Sequence, residues 1–125
     1  MIALRKARKS VSVPLSVKLP PKRVREKFLI IYELEGCQKA ANFLTKYYGI
    51  KRIKIILNGR KVGNNYLGCY LENKAYFKTE GLNKRIVLHE FYHHLIVSNE
   101  LELILKTEER EADCFAKSFV DSKKK

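Results

Sequence analysis

Apolar positions along the chain change their period twice, which divides it into helices, then strands, then helices again. Val11, Val13, Leu15, Val17 and Leu19 alternate loosely with other residues up to Pro20-Pro21, a pair that blocks helix continuation and predicts an extended tail or edge strand. From Lys22 to Glu35, Val24, Phe28, Leu29, Ile31 and Tyr32 fall near helical spacing. From Cys37 to Tyr48, Ala40, Ala41, Phe43, Leu44 and Tyr47 do so again until Gly49 stops them, so two helices meet near Gly36.

The period then shortens. Ile53, Ile55 and Leu57 alternate with charged or polar neighbours, and Asn58-Gly59 is a turn signal, which predicts a strand over about 51–57. A second strand is expected across Asn65–Leu71, a short turn at Glu72-Asn73-Lys74, and a third strand at Ala75–Lys78 of the kind that ends a small antiparallel sheet. Beyond it the pattern is helical once more. Asn83 or a neighbour can cap a helix carrying Ile86, Val87, His89, Glu90, His93, Leu95, Ile96 and Val97, which ends near Ser98-Asn99. A last helix is expected from about Thr107, as capping residue, to Val120. The pattern predicts an α+β fold with a three-stranded, mainly antiparallel sheet, and no internal repeat is present.

With 125 residues, 46% of them hydrophobic and 31% charged, the chain suits one domain with one core, assigned to 22–125 behind a basic N-terminal arm at 1–21. The formal net charge of +13 makes anionic partners an open possibility but names no function. Its distribution is more informative. Residues 1–27 hold nine basic residues against one acid and residues 28–80 hold nine against four, whereas residues 81–125 balance eight against eight. The C-terminal third carries carboxylates that the rest of the chain lacks. Cys37, Cys69 and Cys114 are an odd number without CxxC spacing, which argues against a disulfide framework and for a reducing, cytoplasmic setting. The start has no apolar signal-peptide stretch, and no apolar run approaches the roughly 20 residues that span a bilayer, so no membrane partner is expected.

Residues 89–93 read His-Glu-Phe-Tyr-His, an H-E-x-x-H on a predicted helix. Four residues advance a helix by about 400°, so His89 and His93 lie one turn apart on one face and can converge on a single metal ion, with Glu90 alongside. Catalytic zinc takes three protein ligands and leaves one position open. Downstream, Glu109 and Asp113 are also one turn apart: Glu109, on an antiparallel helix, can complete a His2Glu set, and Asp113 can accept the outer N–H of a ligating histidine. Of Glu108, Glu109 and Glu111, at least one is expected to be an ordinary solvated acid of the first helical turn. His94 lies about 140° around the helix from His89 and reads as a partly exposed residue beside the cleft. A metzincin would need Gly at 96 and His at 99, where this chain has Ile96 and Asn99.

HEFYH followed by EEREADCFAKSFV resembles the H-E-x-x-H and E-x-x-A-[N/D]-x-F-A blocks of the ImmA/IrrE group of gluzincin metallopeptidases, and the small size is similar to that of the archaeal minigluzincins. The likeness covers roughly residues 36–120. It implies a small zincin-like domain that binds one Zn²⁺ through His89, His93 and Glu109, with Glu90 as the catalytic carboxylate and Asp113 behind a ligand. Phe91-Tyr92 replaces the usual Leu-Gly of the first block, and Ser118-Phe119-Val120-Asp121 stands where the family often continues Leu-Leu-Met-Pro.

The expected activity is metalloendopeptidase hydrolysis of a protein substrate, with Glu90 taking a proton from the attacking water and returning it to the leaving amine. The strand at Tyr76-Phe77 is placed to pair with an extended substrate, and Tyr66, Tyr70, Tyr76 and Tyr92 are candidates by type for an oxyanion donor. The basic arm can reach nucleic acid or a DNA-bound regulator, cover the cleft in a latent zymogen, or serve as a solubilising tail. From another class, helices 22–35 and 37–48 can be read as a helix-turn-helix, making the chain a nucleic-acid-binding module with a structural or vestigial metal site.

Overall fold

A computed structural model of the chain describes residues 15–58, 60, 62–63, 66–78 and 83–121. Helix α1 spans Lys22–Glu35 and α2 spans Cys37–Tyr48. Strands β1 (Lys54–Leu57), β2 (Gly68–Leu71) and β3 (Lys74–Phe77) follow, then α3 (Lys84–Ser98) and α4 (Leu105–Asp121). None of these helices is long and apolar enough to cross a membrane.

Local chemistry accounts for most boundaries. Gly36 (φ 98°) breaks the chain between α1 and α2, and Gly49 closes α2 in the left-handed region at φ 68°, where a side chain would be strained. Asn83 caps α3 by accepting from the Ile86 N–H. Helix α4 begins at Leu105, so Thr107 lies inside it rather than capping it. The strands are shorter than their apolar patterns suggest; β1 starts at Lys54 rather than near residue 51. Residues 1–14, Gly59 and Asn65 lie outside the described residues, and with them most of the N-terminal arm and parts of two expected strand boundaries.

The sheet corrects a sequence expectation. Its order is β1-β3-β2, with β2 antiparallel to β3 but β1 parallel to it, so the sheet is mixed and β3 is central. The β2–β3 hairpin turns on Glu72 (φ 46°) and Asn73 (φ 66°), both left-handed as a tight two-residue hairpin loop requires. Gly68, which opens β2, is held against the Phe77 ring: a Cβ there would come within 2.7 Å of it. Alternation within each strand says which face is buried but not which strand it pairs with, and the connection between β1 and β2 decides that.

Helix α3 runs through the centre of the molecule. Leu88, Phe91, Tyr92, Leu95 and Ile96 are buried on several of its sides, against Phe115 and Phe119 of α4, Phe28 and Leu44 of α1 and α2, and Phe77 of β3. Residues 15–20 lie across this core as an extended strap, with Leu15, Val17 and Leu19 turned inward. Ser16 donates from both its backbone N–H and its hydroxyl to the buried Glu111 carboxylate, which also accepts from the Tyr92 hydroxyl at 2.6 Å. Among the described residues the strap pairs with no strand, so the edge-strand reading does not hold for 15–20.

Candidate metal centre

Because α3 is buried on most sides, its polar residues need partners inside the protein. Glu90, His93 and His94 are all in that position, at 7%, 9% and 0% exposure. Helix α4 lies antiparallel alongside, burying Ala112, Phe115, Ala116 and Phe119 at helical spacing. This packing brings Glu108, Glu109 and Asp113 over the two histidines one turn apart on α3.

The distances define a convergent group. Nε2 of His89 and Nε2 of His93 are 3.3 Å apart, and Glu109 places Oε1 2.9 Å from the first and Oε2 3.0 Å from the second. Each ring's other nitrogen meets a carboxylate of its own: Nδ1 of His89 lies 2.8 Å from Asp113 Oδ1, and Nδ1 of His93 lies 2.5 Å from Glu108 Oε2. A carboxylate only accepts, so a proton on either Nδ1 can be donated outward to it. In a neutral imidazole Nε2 then presents a lone pair. With both Nε2 atoms unprotonated, two lone pairs and the Glu109 carboxylate face one another, an arrangement that a metal ion could satisfy.

The donors fit a metal. His89, His93 and Glu109 offer ligand atoms all within 4.8 Å of one another, a group that could hold an ion. Two nitrogens each about 2.0–2.1 Å from one tetrahedral zinc stand about 3.3 Å apart, which matches the Nε2–Nε2 spacing. The set also meets the rule that ligating imidazoles donate their outer N–H to a carboxylate or carbonyl. The group opens on a cleft of about 540 Å³ between β2 and the two helices, with Glu90 and Cys69 in its wall and Val97 and Leu105 at its apolar side.

Burial, opposed in part by His89 and helped by the charge of Glu109, pushes the Glu90 carboxyl up to about 7. A carboxyl whose pKa lies near neutrality, beside a group that could hold a metal ion, can both take and give a proton.

His94 is corrected. It is fully buried rather than partly exposed, donating from Nε2 to the Lys51 carbonyl at 2.6 Å, while Nδ1 accepts from the Tyr70 hydroxyl at 2.8 Å. Burial lowers its pKa and keeps it a neutral tie between α3, β2 and the segment before β1. Tyr92 is likewise committed elsewhere, bonded to Glu111 in the core, and the Tyr70 hydroxyl is held by His94. Of the tyrosines named as oxyanion candidates, Tyr66 and Tyr70 line the cleft. Glu108, classed with the acids of the first helical turn, sits instead against His93. Its position continues the buried stripe Ala112, Phe115 and Phe119 one turn toward the N-terminus, a signal present in the sequence. Compared with protein-family models, curated proteins and solved structures, the chain matches none.

Proposed function

We propose that the chain is a metal-dependent hydrolase and, more narrowly, a zinc endopeptidase with zincin-like packing, resembling the ImmA/IrrE group and the minigluzincins. The observation that carries this reading is the meeting of two imidazole Nε2 atoms and Glu109 with each outer Nδ1 already bound to a separate carboxylate. His89, His93 and Glu109 would hold the ion. Zinc bound there supplies a polarised substrate carbonyl and a more acidic water. Glu90 takes the proton of the attacking water on its carboxylate and returns it to the amine nitrogen that leaves, a role suited to a carboxyl pushed up to about 7.

Peptide is favoured over other acyl substrates by the sheet. β2 is an edge strand of the sheet, and Gly68, Cys69 and Tyr70 line the cleft, so an extended chain laid along it would pass the three donors. The substrate-pairing strand is therefore β2 and not the central β3.

Protein purified without chelators is expected to contain about one zinc per chain. His93→Ala should lose the metal, while Glu90→Gln should keep it and lose cleavage of an unstructured protein such as reduced casein. A wild-type protein that neither contains zinc nor takes it up would end the peptidase reading.

Nucleic-acid binding is the alternative class, and one observation favours it. Arg23, Lys27 and Lys46 surround an apolar groove between α1 and α2, lined by Val24, Phe43 and Tyr47 and, among the described residues, by no carboxylate. A helix-turn-helix use of α2 conflicts with Gln38, whose side chain is spent on the backbone of Ile53 and Ile55. Backbone-phosphate binding through these cations and the basic arm predicts an affinity for duplex DNA that falls steeply with salt; a flat titration would remove nucleic acid as a partner.

A further inference from the structure

We infer that Glu108 is a positioning residue of the metal centre, locking His93 as Asp113 locks His89; the inference rests on the metal-centre reading. The first turn of α4 is where an acid is expected for the helix dipole alone, and such an acid needs only solvent around it. Glu108 is placed differently. Its side chain is 18% exposed, against 47% for Glu109 and 59% for Asp113, and it lies in the cleft wall with Oε2 2.5 Å from His93 Nδ1.

Consecutive residues on a helix diverge by about 100°, so Glu108 and Glu109 reach opposite nitrogens of one ring. Glu109 meets Nε2 at 3.0 Å while Glu108 holds Nδ1, so a flip of the His93 ring would break the Glu108 bond and turn the wrong nitrogen to the ion. The centre thus has a regular plan on α4: a ligand at 109, with carboxylates one residue before and four after it, each fixing one histidine. Among the described residues, Glu108, Glu109 and Asp113 have only His89 and His93 as cationic partners within 4.0 Å, which concentrates negative charge where a cation would sit.

The test measures zinc affinity of the full chain by competition with a chromophoric chelator, alongside the thermal stability of the metal-free protein. Glu108→Ala is expected to weaken zinc binding by roughly 10–100-fold. Glu108→Gln, whose amide oxygen still accepts from Nδ1–H, should recover most of that loss. In zinc-loaded wild type the His93 Nδ1–H proton should give a slowly exchanging NMR signal that Glu108→Ala abolishes. Zinc affinity unchanged in both variants, with metal-free stability lowered, would reduce Glu108 to a helix-dipole acid and overturn the inference. A Gln variant as weak as Ala would show that charge, not orientation, matters, and would overturn it as well. Failure of the wild type itself to bind zinc would instead refute the metal-centre reading, and this inference with it.

Discussion

Glu90 is the residue whose setting departs furthest from its chemistry in water. A carboxyl that is 7% exposed and ionises only near 7 favours its protonated form in the folded chain, whereas the unfolded chain ionises it near 4.5. Between those values the metal-free folded state holds more protons than the unfolded state, so this group's stabilising contribution is complete below about 4.5 and is lost as pH rises through about 7. Glu90→Gln removes that dependence. The variant is expected to be more stable than wild type by roughly 2–3 kcal/mol at pH 8 and no more stable at pH 4, as read from urea denaturation of metal-free protein. Equal stability at both pH values would mean that Glu90 ionises as it does in water. The H-E-x-x-H spacing foretold that His89 and His93 could meet. That His94, one residue on, would be buried and neutral was not legible, because its partners are the Lys51 carbonyl and Tyr70, distant in the chain.

Among the elements, both α1 and α2 and the body of α3 could be placed from apolar spacing, Gly36, Gly49 and the Asn83 cap, all local signals. The sheet could not be read so fully, since β1 pairs in parallel with β3 across a connection whose path no local pattern specifies. Strand β2, at the edge and in the cleft wall, depends on Gly68, because the Phe77 ring behind it is fully buried and cannot move aside. Gly68→Ala is expected to cost roughly 1–3 kcal/mol of stability by thermal or urea denaturation, and to perturb the cleft rather than the α1–α2 pair in amide NMR spectra. An alanine variant as stable as wild type would show that β2 can slide without loss.

At the scale of the whole molecule, one buried carboxylate joins three parts of the chain. Glu111 of α4 accepts from Tyr92 of α3 and from Ser16 of the strap, and Val17 N–H donates to the same tyrosine hydroxyl. Glu111→Ala leaves those donors without their acceptor and is expected to cost roughly 2–4 kcal/mol, with faster tryptic cleavage after Lys18 as the strap loosens. An unchanged cleavage rate would show that apolar contacts of Leu15, Val17 and Leu19 hold the strap unaided.

Four of the eight acids in the neutral C-terminal third divide between two places: Glu108, Glu109 and Asp113 surround the histidines, while Glu111, two residues from Glu109, faces the opposite side into the core. By itself the sequence determined the helices, the facing histidines and the presence of acids at helical spacing, because each of these follows from periodicity within one segment. Which acid met which nitrogen, that His94 closed on a carbonyl, and that β2 rather than β3 bordered the cleft were decided only by tertiary structure, because they depend on how α3, α4 and the sheet pack across long stretches of chain.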